Sequence, residues 1–195
     1  LQKAYACTGW DKVEINEEES TVYLNDSCAS LDVGSVAKGF ATEKTSQMLI
    51  EHGVTSGIVN AGGNVRTIGS KLGKDWIAGI QTPEIYNLSE YILTLPIHEN
   101  LSLVTSGNYQ RYFIHEDEIY HHIIDPETLY PSTYWRSVTI VCDDSGLADA
   151  LSTALFLLPL EEGRELAEKC EAQVMWVDGS GQIYYTAGFE SMIRT

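Results

Sequence analysis

Residues Leu31–Glu43 read LDVGSVAKGFATE, and their reading decides how the rest of the chain is organised. From Asp32 to Lys38 they place a carboxylate, a glycine turn and a lysine at the start of a helix. Leu31 and Val33 close an extended run, and Gly34 accepts backbone angles that other residues resist. From Val36 onward, Val36, Phe40, Met48 and Leu49 recur at helical spacing as an apolar stripe, and Gly53 stops the helix. A helix start carries unpaired N–H groups and partial positive charge, so the stretch suits a phosphate, with Lys38 adding a mobile full charge. An ordinary strand-to-helix turn with Lys38 in solvent explains the same residues.

Around this stretch, 195 residues with 44% hydrophobic content suffice for a sizeable core in one large domain or two small ones. The balance of 28 acidic against 12 basic residues, a formal charge of −16, argues against nucleic acid or an anionic membrane as a partner. An anionic ligand needs local cations to overcome that field. Cys7, Cys28, Cys142 and Cys170 form no C-x-x-C pair, which speaks against zinc and leaves disulfides open. No stretch reaches the run of about 20 apolar residues that a membrane helix needs, and the start lacks a signal-peptide layout. A chain beginning at Leu1 without methionine reads as a fragment or processed product.

In chain order, residues 1–12 show little pattern, and KVEINEEESTVYLN reads as two short strands about an acidic turn. GIVNAGGNVRTIG reads as strand, glycine turn at Ala61–Asn64, and strand. Its glycines suit either a tight hairpin or close approach to a ligand. Strands follow at WIAGIQT, EYILTLPI and LSLVTSG, then a hairpin across QRYFIHEDEIYHHIID with its turn at Glu116–Glu118. Ser106, Gly107, Asn108, Tyr109 and Arg111 form a polar cluster at a strand–turn junction, where Arg111 suits a surface ion pair as well as a ligand contact. His121 and His122 face opposite ways in an alternating strand, so at most one enters a given pocket. After the strand SVTIVC, the run DDSGLADALSTALFLLP is a helix with Leu147, Leu151, Ala154, Leu155 and Leu158 as its apolar stripe. Asp149 and Thr153, four apart on one exposed face, present hard oxygen donors suited to Mg²⁺, or are simply solvated. EEGRELAEKC is a short amphipathic helix, and AQVMWVDGSGQIYYTAG a closing hairpin. No repeat or linker interrupts the chain, so residues 1–195 read as a single α+β domain.

Taken together and in this order, DVGSVAKGFATE, VNAGGNV, VTSGNYQRYF, HHIIDPETLYP and SVTIVCDDSGLADALSTALFLLP closely resemble the ApbE family of FAD:protein FMN transferases. The resemblance implies a T-fold-like ApbE domain, a mainly antiparallel sheet with packed helices. It further implies FAD as substrate, Mg²⁺ as cofactor, and transfer of FMN to a threonine or serine of an acceptor protein with release of AMP. Residue by residue, Asp32 and Lys38 match the family's FAD-contacting acid and lysine, and Ile123 and Thr128 lie in the loop beside the flavin nucleotide. Ser35, through its carbonyl, Asp149 and Thr153 match the metal ligands, and His122 matches the base.

The chain departs from the family in three ways: it lacks the earlier N-terminal segment, carries Leu129 where glycine is usual, and has Ser35 where glycine is common. The resemblance also implies an acceptor flavoprotein of a membrane-associated electron-transfer system, and an extracytoplasmic, membrane-anchored full-length protein. Two alternatives stand beside transfer: FAD pyrophosphatase activity giving FMN and AMP, and a flavin-binding module that no longer catalyses.

Overall fold

A computed structural model describes residues 2–84, 90–98 and 100–193. The first part of the chain forms α1 (Gln2–Tyr5), the hairpin β1 (Val13–Asn16) and β2 (Thr21–Leu24), α2 (Ala37–Glu51), β3 (Gly57–Ala61), β4 (Asn64–Ile68), β5 (Trp76–Gln81) and β6 (Tyr91–Ile97). Then come β7 (Ser102–Gly107), β8 (Tyr112–His115), β9 (Glu118–His121), β10 (Trp135–Cys142), α3 (Ser145–Phe156), α4 (Leu160–Lys169), β11 (Gln173–Asp178), β12 (Ile183–Tyr185) and α5 (Ala187–Met192).

Six strands form one antiparallel sheet in the order β12–β11–β10–β7–β4–β3. Its central strands are apolar on both faces, because neighbouring residues point to opposite sides. Val174 and Trp176 of β11 pack with Val138 and Ile140 of β10 and Leu151 and Leu155 of α3. Their neighbours Met175 and Val177 join Val141, Leu103 and Phe189 of α5 on the other side. There the β5–β6 hairpin adds Ile80, Leu95 and Ile97. The sheet is therefore the middle layer of an α+β sandwich.

Helix α2 departs from the apolar-stripe reading. Phe40 (60% exposed), Met48 (51%) and Val36 (38%) face outward, while the buried positions are Gly39, Thr42, Glu43 and Ser46. The cause is the partner surface: α2 packs against α3 and the edge of the sheet at β3 and β4, where polar groups await it. Glu43 accepts from the Ser145 backbone N–H at 2.9 Å and pairs with Arg66 Nε at 3.2 Å. At Gly39, an added Cβ would lie 2.2 Å from the Ser145 carbonyl oxygen and 2.4 Å from Asp149 Cβ, so only glycine permits this approach.

Three smaller expectations also change. Leu31 and Val33 are exposed loop residues rather than the end of a strand, which already closes at Leu24. Leu147 stands outside the α3 stripe, replaced by Ala148 and Phe156. Asp149 is 3% exposed, not a solvated surface position. The helix stop holds: Gly53 adopts φ +88°, while Val54 N–H returns to the Leu49 carbonyl. Cys7 and Cys28 form a disulfide that ties the segment after α1 to the segment after β2. Among the described residues, no helix is long and apolar enough to cross a membrane.

Candidate active site

A cleft of about 740 Å³ opens where α2, α3, the β3–β4 turn, β7 and the strand end after β9 meet. Asp32, Ser35, Lys38, His122, Ile123, Asp149 and Thr153 all line it. These residues are separated by as many as 121 positions in the chain, from Asp32 to Thr153. Thr128 lies elsewhere, in a neighbouring cavity of about 770 Å³ with Phe113, Tyr120, Leu129 and Tyr130; Ile124 borders both spaces. Its hydroxyl donates to Asp125 Oδ2 at 3.1 Å, holding the loop rather than facing the cleft.

The start of α2 does carry an anion, and it is the protein's own. Asp149 Oδ2 accepts from Gly39 N–H at 2.8 Å, while Asp149 Oδ1 stands 3.6 Å from Lys38 Nζ. A carboxylate at a helix N-terminus is favoured by the unpaired N–H groups and the helix dipole. Asp32 Oδ1 accepts from Gly34 N–H at 2.7 Å, which shapes the turn that leads into the helix. One turn along α3, Thr153 shares the cleft with Asp149, as the i,i+4 spacing requires. Both readings of the β3–β4 glycines hold together. Gly62 and Gly63 sit at φ +60° and +95° in a two-residue turn, and Gly62 also lines the cleft beside Lys38.

The two histidines diverge as alternation demands. His121 is buried with both ring nitrogens satisfied: Nε2 donates to the Ser132 carbonyl at 2.9 Å, and Nδ1 accepts from Ile123 N–H at 3.3 Å. His122 turns to the cleft, and its Nδ1 lies 3.2 Å from the Arg111 carbonyl. A carbonyl only accepts, so the neutral ring carries its proton on Nδ1 and leaves the Nε2 lone pair free. Desolvation at the cleft wall holds this imidazole below its ordinary value near 6.5, and the charges of Arg111, His121 and Lys38 push the same way against the carbonyl bond. It is thus a neutral acceptor of protons at pH 7. Cys142 offers no competing nucleophile, since burial pushes its thiol up to about 11.

Three residues of the site were missed or left undecided by sequence reasoning. Asn64 is 2% exposed, lines the cleft, and has an Oδ1 with no hydrogen-bond partner. Ser106 lines it too, its hydroxyl bonded at 2.8 Å to Ser152 Oγ, which in turn donates to the Asp149 carbonyl. Arg111 is a cleft residue, with no ion pair among the described residues. The signal available for Asn64 and Ser106 was only their place in turn motifs; burial decides their part. Tyr109, from the same sequence cluster as Ser106, is instead core, its ring laid over Gly107.

The sequence and the fold of this chain are similar to those of known proteins. The model of the ApbE family matches residues 1–176. A FAD:protein FMN transferase of Treponema pallidum is 38% identical over 185 residues, covering 89% of this chain and 51% of the relative. One from Klebsiella pneumoniae is 35% identical over 164 residues, covering 84% and 50%. The chain therefore spans about half the length of the curated relatives it matches. Among solved structures, the ApbE protein of Thermotoga maritima superposes with a TM-score of 0.86 at 31% identity, over 100% of this chain and 63% of that one. The flavin transferase ApbE of Vibrio cholerae gives 0.80 at 25% identity, over 96% and 60%. With its motifs gathered into one cleft and its sheet and helices superposing on these structures, the chain belongs to the ApbE family.

Proposed function

We propose that residues 1–195 form an ApbE-type catalytic domain that transfers FMN from FAD to a threonine or serine hydroxyl of an acceptor protein, releasing AMP. The observation that carries this reading is the convergence of Asp32, Lys38, His122, Asp149 and Thr153 on one cleft. The matched relatives, FAD:protein FMN transferases, support the same reaction class.

The reaction joins the acceptor oxygen to the FMN phosphorus and breaks the P–O bond to AMP, so catalysis consists of positioning, proton transfer and charge stabilisation. His122 Nε2 takes the hydroxyl proton while the Arg111 carbonyl holds the ring in the required tautomer. Lys38 lends charge to the phosphate oxygens, and Ile123, 6% exposed, supplies an apolar wall.

The residues present fit Mg²⁺: Asp149, Thr153 and the Ser35 carbonyl are all oxygen donors on one cleft, and a single carboxylate suits an ion that keeps waters and substrate phosphates. These three would hold the ion, which when bound supplies positive charge to the phosphates. The acceptor is a flavoprotein of a membrane-associated electron-transfer system, and the site of action lies outside the cytoplasm. The Cys7–Cys28 disulfide supports an oxidising compartment.

Mass spectrometry of an acceptor-motif peptide incubated with this chain, FAD and Mg²⁺, with EDTA controls and AMP followed in parallel, tests the proposal. The expected result is a peptide that gains FMN only with metal. Free FMN and AMP without a peptide adduct would replace transfer by FAD hydrolysis, and neither product would leave a binding module.

A further inference from the structure

Among the described residues the cleft presents two full cations, Lys38 and Arg111, and they are not equivalent. Lys38 is already set against Asp149 at 3.6 Å and lies 3.5 Å from the Gly34 carbonyl. Arg111 has no such partner among the described residues, although 28 acidic residues surround 12 basic ones in this chain. Its backbone is fixed, because its carbonyl accepts from both the His122 N–H at 3.3 Å and His122 Nδ1 at 3.2 Å. The guanidinium is therefore carried by the residue that orients the imidazole, on the wall of the same cleft. An independent sign of a ligand lies in the same cleft: Asn64, 2% exposed, keeps an unpartnered Oδ1. Burying a polar atom without a partner is costly unless a ligand or water completes it.

We propose that Arg111 is a second phosphate-binding side chain of this site, gripping the pyrophosphate oxygens of the dinucleotide while its carbonyl aligns His122. The inference rests on the transferase reading above. A planar guanidinium with five donors matches phosphate geometry, binding two oxygens at once where an ammonium acts as a point charge. With Lys38 partly neutralised by Asp149, Arg111 is, among the described residues of the cleft, the cation without an ion-pair partner, and it ties the phosphate position to the proton acceptor. A side chain that only met solvent would leave phosphate affinity unchanged when truncated.

The test compares wild type, R111Q and R111K by calorimetric titration with FAD and with inorganic pyrophosphate in Mg²⁺, by steady-state FMN transfer, and by thermal melting. R111Q is expected to weaken binding of both probes by about 10- to 100-fold, with a matching rise in KM and a fall in kcat. Its melting temperature is expected to stay within a degree or two, since the side chain is exposed. R111K recovers only part of the affinity. Wild-type affinity and turnover in R111Q would overturn the role of Arg111 and leave the transferase reading standing. Early melting of both variants, with equal losses for every ligand, would make the residue structural and overturn the proposal. A wild-type chain that binds neither FAD nor pyrophosphate would overturn both.

Discussion

Two regions of the six-stranded sheet are built by different chemistry: the face under the β5–β6 hairpin, and the corner of the opposite face toward α2, beside the apolar cluster that β10, β11 and α3 share. Under the β5–β6 hairpin and α5, the contact is mainly apolar and holds no buried charge among the described residues: Ile80, Leu95, Ile97, Leu103, Val141, Met175, Val177 and Phe189. Toward α2 and the start of α3, the buried groups include Glu43, Arg66, Asn64, Ser145, Asp149 and Ser152. Apolar burial is strong but non-directional, so the first face supplies stability without fixing any one atom. Hydrogen bonds and ion pairs are directional, so the polar corner toward α2 contributes less net stability per group and fixes where each oxygen and nitrogen stands. The cleft opens at that corner.

The sharpest way to break this contrast is to remove the charge that joins α2 to α3. Asp149→Ala deprives Gly39 N–H and Lys38 of their partner, and under the proposed mechanism removes the metal carboxylate. Metal-dependent FMN transfer is expected to fall by about a thousandfold or more, with a stability loss of about 1–3 kcal/mol. Full activity in defined magnesium would show that the polar corner does not hold the site through Asp149. Gly39→Ala is its steric counterpart. A Cβ there must push apart the two helices, so transfer should drop while urea unfolding records a loss of about 1–3 kcal/mol.

Leu95→Ala probes the other face. Fully buried and remote from the cleft residues, it should cost about 2–5 kcal/mol in urea unfolding. The surviving folded molecules should transfer FMN at the wild-type rate. A proportionate loss of kcat would mean that the apolar face also tunes the site.

Two smaller effects sharpen the comparison. His122 is held below its ordinary value near 6.5 by desolvation, so transfer should be level at pH 7 and decline only as the pH falls through that lowered value. The stability effect has the same sign. Below 6.5 the unfolded state binds the proton first, so stability present above 6.5 is lost as pH falls through the folded value. His122→Gln should flatten the low-pH limb of any residual rate, and an unchanged limb would assign it to another group. Leu129 adopts φ +60°. Leu129→Gly should relieve a left-handed strain of about 1–2 kcal/mol, less the packing lost in the neighbouring cavity, and thermal melting would register the difference.

Strands were legible wherever a single short-range rule governed them. The strand-like runs TVYL, WIAGIQ and QVMWVD and the paired glycines at Gly62–Gly63 placed strands and hairpins correctly, because β-propensity and backbone angle are local properties. Motif order likewise carried the family, and the i,i+4 spacing of Asp149 and Thr153 put both on one wall. The sequence also determined that His121 and His122 must part company.

Tertiary structure alone decided which surface each helix would bury. Nothing in AKGFATEKTSQMLIE announces that Phe40 faces out while Glu43 is buried, because the preference was set by Arg66 and Ser145, far away in the chain. The same holds for the anion at the start of α2, supplied by Asp149 across 110 positions, and for Thr128, which turned from the cleft to bind Asp125. Periodicity ranks residues by their own hydrophobicity. A buried charge is stabilised only by its partner, and the partner's position is a property of the fold.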